Sequence, residues 1–421
     1  MFADAAQVDV HRSNGCWTLT APRRTLARPV VEGDRVYVLV DGCATALDRA
    51  DGSVLWRSPH RVTGALDLWG MECTATGDHL VVPDGRLAPR NGKAGLSVLD
   101  AGSGALLWRS DAGPLAEFHA DRHTLVTVHS DGNLPGRITA LDLATGSRLW
   151  RREVLSMGSA VVTDGRLITY GSDDIGHRVL ALDLRTGAEL WRNTDYGGGL
   201  TLLRPDTTPD PSQIFVWSWP NGRMVRLALE TGSETGRIEV ARQKYHAQVL
   251  EDGRSVWLVG NGRRVQRFDV SSSANGPSHS FHPLRRGITN YRGVAVPGDG
   301  WLYGVDRARH LLAAPIDPGG RRPLPRLRWP RSVSLDARRT DYTGVLTVGP
   351  GQVYLTTPFA RSPADRGVVA VRDGAVRWRL PLGHSSGRPV PAGAGVLLVD
   401  SPSDHDRLRM VDAGTGAFAG T

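Results

Sequence analysis

Ala140-Leu-Asp-Leu-Ala-Thr-Gly-Ser-Arg-Leu-Trp150 is one of four near-copies of a single phrase. The others are Ala46-Leu-Asp-Arg-Ala-Asp-Gly-Ser-Val-Leu-Trp56, Val98-Leu-Asp-Ala-Gly-Ser-Gly-Ala-Leu-Leu-Trp108 and Ala181-Leu-Asp-Leu-Arg-Thr-Gly-Ala-Glu-Leu-Trp191. Weaker copies run over 227–236, 268–276, 314–329, 369–378 and 410–419. Each residue type has a mechanical reason. Asp48, Asp100, Asp142 and Asp183 end a strand, where a short carboxylate accepts hydrogen bonds from turn amides two or three residues on. Gly52, Gly104, Gly146 and Gly187 supply the positive φ that closes a short hairpin with a bulge. The tryptophan then enters the next strand. A large side chain repeated at one station of every unit packs between neighbouring units, burying roughly 150–250 Å². Trp17, Trp56, Trp108, Trp150, Trp191 and Trp378 are accordingly assigned to structure, not to a cofactor box.

A second hairpin precedes each phrase, as in Arg28-Pro-Val-Val-Glu-Gly-Asp-Arg-Val-Tyr-Val-Leu-Val40 and Ser159-Ala-Val-Val-Thr-Asp-Gly-Arg-Leu-Ile-Thr-Tyr170. Four strands per unit follow, in the first unit 29–32, 35–40, 44–48 and 53–56. A repeat of about 39 to 52 residues belongs to propeller blades, and the lack of a Trp-Asp dipeptide argues against the WD40 class. The expected fold is all-β: a single closed β-propeller of four-stranded antiparallel blades, spanning 1–421 as one domain and monomeric as a ring. Nine units are counted, and eight or nine blades are allowed. Residues 1–13 read as an N-terminal tail. Residues 14–20 read as a closing strand beside Leu408–Asp412 that removes open sheet edges.

The phrase Ala-Leu-Asp-x-x-Thr-Gly-x-x-x-Trp resembles the pyrroloquinoline quinone (PQQ)-binding-like repeat, most strongly over 28–191. The resemblance implies one of two uses of the ring. Quinone dehydrogenases with a similar propeller use calcium, a catalytic aspartate and commonly an adjacent cysteine pair. Other relatives use the ring for protein contacts. Adjacent cysteines are absent here, and no calcium ligand or catalytic aspartate can be carried over by motif. The expectation is therefore a non-enzymatic scaffold with no cofactor. A PQQ- and calcium-dependent dehydrogenase is the alternative. A small-molecule or sugar sensor is a further one, with Trp217, Trp219, Tyr196, Tyr245 and Tyr291 as stacking surfaces.

Composition fits a soluble fold of many short strands: 40% hydrophobic, 22% charged, 50 Gly and 26 Pro. No apolar run is long enough to span a bilayer, and the opening Met1-Phe-Ala-Asp-Ala-Ala-Gln-Val-Asp-Val lacks the basic and apolar regions of a secretory leader. Cys16, Cys43 and Cys73 form no C-x-x-C pair and leave a thiol over. These features set the expectation of a reducing, cytoplasmic compartment and no membrane insertion.

Short turns such as Glu32-Gly-Asp34 and Gly349-Pro-Gly351 would fall on one face of the ring. The excursions 83–95, 193–212, 357–366 and 400–406 would fall almost entirely on the other, and insertions gathered on one face mark a binding face. Residues 241–339 hold 17 Arg, one Lys and 7 acidic residues, a balance of +11, which leaves the rest of the chain at −3. Arg263, Arg264, Arg285, Arg286, Arg307 and Arg309 sit in or beside expected working-face connections and are the candidate contacts for an anionic partner. A protein, acidic where it docks, is the expected partner. Nucleic acid is disfavoured, because no aromatic platform interleaves with the arginines.

Other motifs dissolve in context. Gly383-His-Ser-Ser-Gly387 matches a nucleophile elbow, but Arg388-Pro-Val-Pro follows where a helix is required, so Ser385 is not a nucleophile. His119 and His123 have helical spacing within a β pattern. Asp404-His-Asp406 and Ser172-Asp-Asp174 lack the spacing of a calcium loop. Neither a phosphate loop nor an N-x-[ST] sequon occurs.

Overall fold

The computed structural model describes residues 9–13, 16–22, 26, 28–62, 73–85, 94–110, 115–129, 136–154, 156–173, 176–195, 200–203, 213–218, 223–239, 249–251, 255–259, 265–269, 279–281, 294–295, 301–305, 311–315, 327–328, 346–349, 351–356, 367–373, 375–382, 389–400 and 405–418. Among these the strands form nine antiparallel sheets, eight of four strands and one of five, and no α-helix is present. Each four-stranded sheet is a meander of consecutive strands, as in Leu115–Ala120, Thr124–His129, Gly136–Asp142 and Arg148–Val154.

Burial follows strand position. Thr124–His129 and Gln352–Thr356 are buried along their whole length, and Arg35–Val40 and Gly367–Arg372 nearly so. A strand covered on both faces reads as a continuous apolar run, which is why these segments are rich in Val, Leu, Tyr and Thr. The outer strands are half exposed: Leu106, Leu107 and Leu190 lie open to solvent while Trp191 is 7% exposed.

By contacts the chain divides into two compact units. The first comprises Met1–Arg57, His246–Phe268 and Ser278–Thr421. Its five-stranded sheet joins the two ends of the chain: Cys16–Pro22 pairs with His405–Asp412, Trp17 opposite Met410 and Leu19 opposite Leu408. The expected pairing of the Trp17 segment with Leu408–Asp412 is thus observed. Trp17, Leu19, Val36, Val38, Leu47, Leu397, Leu408 and Met410 pack in one core cluster. Residues 1–13 are not a tail throughout, because Asp9–Ser13 adds a fifth strand against Cys16–Pro22. The signal was weak because this strand is almost wholly exposed and carries no apolar alternation.

The second unit comprises Ser58–Tyr245 and Asp269–Pro277. Its core clusters each draw on successive sheets: Val81, Leu96 and Val98 meet Leu125 and Leu141, and Val161, Ile168, Val179 and Trp191 meet Ile214, Val216 and Val225.

Candidate functional site

The repeated phrase folds into one device. Asp142 Oδ1 accepts the Thr145 amide and the Thr145 hydroxyl, both at 2.9 Å. Asp183 does the same with Thr186, and Asp412 with Thr415, at 2.7–2.8 Å. These bonds favour the charged form, holding Asp100, Asp142, Asp183 and Asp412 below the ordinary carboxylate value. The hydroxyl bond is the largest cause for Asp100, Asp142 and Asp412, and the Thr186 amide for Asp183.

The turn glycine then receives a tryptophan from the preceding sheet. A Cβ on Gly146 would lie 2.6 Å from Trp108 Cδ2, and one on Gly187 would lie 2.7 Å from Trp150 Cδ2, both at φ near +70°. Gly416 stands to Trp378 in the same way. Each indole N–H donates to the carbonyl after the turn carboxylate: Trp108 to Leu143, Trp150 to Leu184, Trp378 to Ala413, at 2.7–2.9 Å. Trp17 donates to the Arg49 carbonyl at 3.0 Å. Trp56 packs against Tyr37, ring centroids 5.9 Å apart. Trp17, Trp108, Trp150, Trp191 and Trp378 are thus consumed by inter-sheet packing, whereas the ring that Trp56 meets belongs to its own sheet.

The expected gathering of long connections at one end of the sheets is not observed, because the strand limits place long ones at both: Leu203 to Gln213 joins a first strand to a second, and Asp269 to His279 and Pro315 to Leu327 join third strands to fourth. Within a sheet, the first-to-second and third-to-fourth turns share one end. Gly33-Asp34, Asp164-Gly165 and Gly393-Ala394 are sufficient for the former. Second-to-third connections lie at the opposite end, and several are longer, running from Gly85 to Ala94, His129 to Gly136 and Thr356 to Gly367.

Two polar clusters stand near that end in the second unit. In the first, Asp84 is 1% and Ser97 0% exposed. Ser97 Oγ donates to Asp84 Oδ2 at 3.2 Å, His60 Nε2 lies 3.0 Å from Ser97 Oγ, and Arg109 Nε lies 3.1 Å from Asp84 Oδ2. With the serine proton committed to Asp84, His60 Nε2 is the donor toward Ser97 and cannot act as its base. The carboxylate also reaches the serine rather than the far ring nitrogen, so the trio lacks the relay of a hydrolase triad. In the second cluster, Glu189 accepts Arg192 through Nε at 2.8 Å and Nη2 at 2.6 Å, and Arg152 through Nη2 at 3.3 Å. Arg178, 5% exposed, shares their field. The sequence reading missed both clusters.

The sequence-derived arginines 263, 264, 285, 286, 307 and 309 lie outside the described residues, as do Ser385, Asp174, Asp404, Tyr196, Trp219, Tyr245 and Tyr291. His119 and His123 fall on a strand and in a turn: His119 pairs with Glu117 at 2.7 Å, while the His123 amide donates to Asp121. Asp406 accepts the Leu26 amide, and Asp400 accepts buried Arg409 at 3.0 Å, which itself stacks over Phe418. Among the described residues no group of three or more His, Cys, Asp or Glu gathers in a metal-holding arrangement. Cys16 and Cys73 are buried and all three cysteines are free.

Four-stranded sheets that hand a tryptophan to the turn glycine of the following sheet, as at Trp108, Trp150, Trp191 and Trp378, are the construction of propeller repeats. A family model described as outer membrane protein assembly factor BamB matches residues 7–95 and 92–319. The chain belongs to this PQQ-like β-propeller repeat family. Outer membrane protein assembly factor BamB of Yersinia pestis is 28% identical over 168 residues, covering 38% of this chain and 41% of that protein, so the match spans about two fifths of the relative's length. A solved structure of a eukaryotic initiation factor superposes with a TM-score of 0.58 at 9% identity, covering 90% of this chain and 97% of that one. A quinohemoprotein alcohol dehydrogenase from Pseudomonas putida HK5 superposes with a TM-score of 0.50 at 14% identity, covering 99% and 78%. At such identities these two likenesses show the fold alone.

The comparisons overturn the cytoplasmic placement expected from the sequence, since the matching family model and the Yersinia pestis relative are both described as an outer membrane protein assembly factor. Unpaired cysteines are a weak guide to compartment here, because Cys16 and Cys73 are buried. Burial pushes the Cys73 thiol up to about 12 and raises that of Cys16, keeping both protonated and inert.

Proposed function

We propose that this chain is a non-enzymatic scaffold that docks a protein partner through the connections between its strands, in the assembly of outer membrane proteins. The supporting observation is the match to the BamB family over residues 7–319. The recurring polar and aromatic residues of the repeat are spent on turns and indole contacts, which leaves variable connections to carry recognition. The partner is acidic where it meets the ring, because residues 241–339 carry an excess charge of +11.

The test is affinity capture from an envelope extract. Wild type is compared with a quadruple Arg263→Glu, Arg264→Glu, Arg285→Glu, Arg286→Glu variant whose β-sheet circular dichroism is unchanged. Wild type retains an outer membrane assembly protein and the variant loses it. Stoichiometric quinone and calcium on the purified chain, with no protein partner, would overturn the scaffold in favour of a dehydrogenase.

A further inference from the structure

Eight Asp-Gly steps occur in the sequence, and the hairpin of Ser156–Thr163 and Arg166–Asp173 presents one of them at its tip. Thr163 pairs with Arg166, so Asp164 and Gly165 alone make the turn. Both have positive φ, 45° and 67°, as a type I′ hairpin requires. The closing bonds of such a turn belong to its flanking residues. The Gly165 carbonyl accepts the Leu184 amide at 2.9 Å, while the Gly165 amide lies outside the ladder. The Asp164 side chain is 73% exposed, and nothing lies within 4 Å of a Cβ placed on Gly165. A carboxyl and the next amide thus stand together, open to water and unhindered by a side chain.

Asp51–Gly52 is the same pair of residues in the turn of the repeated phrase, and there the amide and the carboxyl are both engaged. The Gly52 amide donates to the Asp48 carbonyl at 2.8 Å. The indole of Trp17, itself buried, lies against Gly52. Asp51 Oδ1 accepts the Ser53 amide at 2.7 Å. Bonds from Ser53, its hydroxyl first and its amide second, hold the Asp51 carboxyl below the ordinary value and so in its charged form. At Asp84–Gly85 the carboxylate is buried and bound by Ser97 and Arg109.

We propose that Asp164–Gly165 is a modification site, where isoaspartate forms without an enzyme. The Gly165 nitrogen attacks Asp164 Cγ in its neutral carboxyl form. An N–Cγ bond forms, a carboxyl C–O bond breaks, and the hydroxyl leaves as water with the proton of the amide. Water then opens the five-membered ring. Breaking the N–Cγ bond restores aspartate, whereas breaking the bond from nitrogen to the Asp164 carbonyl carbon leaves the chain running through Cγ. The product keeps the original mass and has one more backbone atom in the turn. A two-residue turn so lengthened cannot hold Thr163 opposite Arg166. Arg166, bound to Asp164 Oδ2 at 2.6 Å and to Glu230 of the next sheet at 3.2 Å, then loses the first of its two carboxylates. The modification thus loosens a clasp between sheets, and it does not rest on the scaffold reading.

The experiment ages the full chain for several weeks at physiological pH and temperature, native and in urea, and then digests it with trypsin. Asp164 falls in the fragment Glu153–Arg166 and Asp51 in Ala50–Arg57, so the two steps are read separately. Isoaspartate is measured by electron-transfer fragmentation and by labelling with an isoaspartyl methyltransferase and S-adenosylmethionine. In the native chain it accumulates about tenfold faster at Asp164 than at Asp51, where a backbone bond and an indole contact must first be released. In urea the two rates converge, because both protections belong to the fold. Gly165→Ala, whose added methyl hinders the attacking nitrogen, slows the reaction at Asp164 and leaves that at Asp51 unchanged. Native rates that are equal at the two steps, or faster at Asp51, would overturn the proposal. So would isoaspartate at Asp164 that Gly165→Ala leaves unaltered.

Discussion

Gly232→Ala isolates the contact on which the repeat depends, because the fold contains its own control. Gly232 has φ +66° and Gly165 has φ +67°, so alanine meets the same backbone strain at both. That strain costs about 1–2 kcal/mol, less the ~0.4–1 kcal/mol that a less flexible unfolded chain returns. Nothing lies within 4 Å of a Cβ on Gly165, whereas one on Gly232 would fall 2.5 Å from Trp191 Cδ2 and 2.8 Å from Cζ3. The indole must move. Trp191 is 7% exposed and donates to the Leu229 carbonyl at 2.8 Å. Displacing it costs that bond, about 1 kcal/mol, and part of the ~3–5 kcal/mol that a buried tryptophan is worth against alanine. Gly165→Ala should therefore cost about 1 kcal/mol and Gly232→Ala about 3 kcal/mol in urea denaturation followed by tryptophan fluorescence. In a Trp191→Ala background, the Gly232 cost should fall to that of Gly165. Costs at the two glycines equal within ~0.5 kcal/mol would refute the reasoning, as would additivity in the double variant.

Ala228 occupies the station that Asp142 and Asp183 hold elsewhere, yet its turn keeps the same backbone bonds, Gly232 amide to Ala228 carbonyl and Ala228 amide to Ser233 carbonyl. With Thr231 already three residues on, Ala228→Asp should stabilise the chain by about 0.5–1 kcal/mol in the same denaturation assay. Because the folded values of Asp100, Asp142, Asp183 and Asp412 lie below the unfolded value of about 3.9, their stabilisation is fully present above that value. It is lost as pH falls through the lowered folded values. Melting temperature should thus hold from neutrality to about pH 5 and drop below about pH 4, and Thr145→Val should move the Asp142 titration seen by NMR back toward the ordinary value. A colourimetric thiol reagent at pH 8 should leave Cys73 and Cys16 unmodified in the native chain and label both in urea.

The fold was legible because its organising elements are local. An aspartate, a glycine and a tryptophan within eleven residues specify a strand end, a turn and an inter-sheet contact, and each is set by chemistry within a few positions or by one repeated partner. Strand limits were less legible. The first outer strand was read as 53–56 but runs from Val54 to Arg61, since Arg57, Ser58, Pro59 and His60 carry no β signal of their own. Edge segments read poorly for the same reason: Asp9–Ser13 is a strand only because Cys16–Pro22 offers it an edge.

The cluster around Glu189 was illegible for a different reason, which the register makes plain. Glu189 and Arg192 are three apart, and on a regular strand of period two they would point to opposite faces. The bulge at Ala181/Leu182 inserts a residue between them and brings both to one side. Glu234 and Arg237 are joined in the same way across the bulge at Arg226/Leu227. The third member, Arg178, reaches them through pairing of adjacent strands, and Arg152 arrives from the sheet before. A search for motifs along the chain sees only scattered arginines in an arginine-rich sequence. Their chemistry resides in which of them share a face with one carboxylate, and that is fixed by bulges and register.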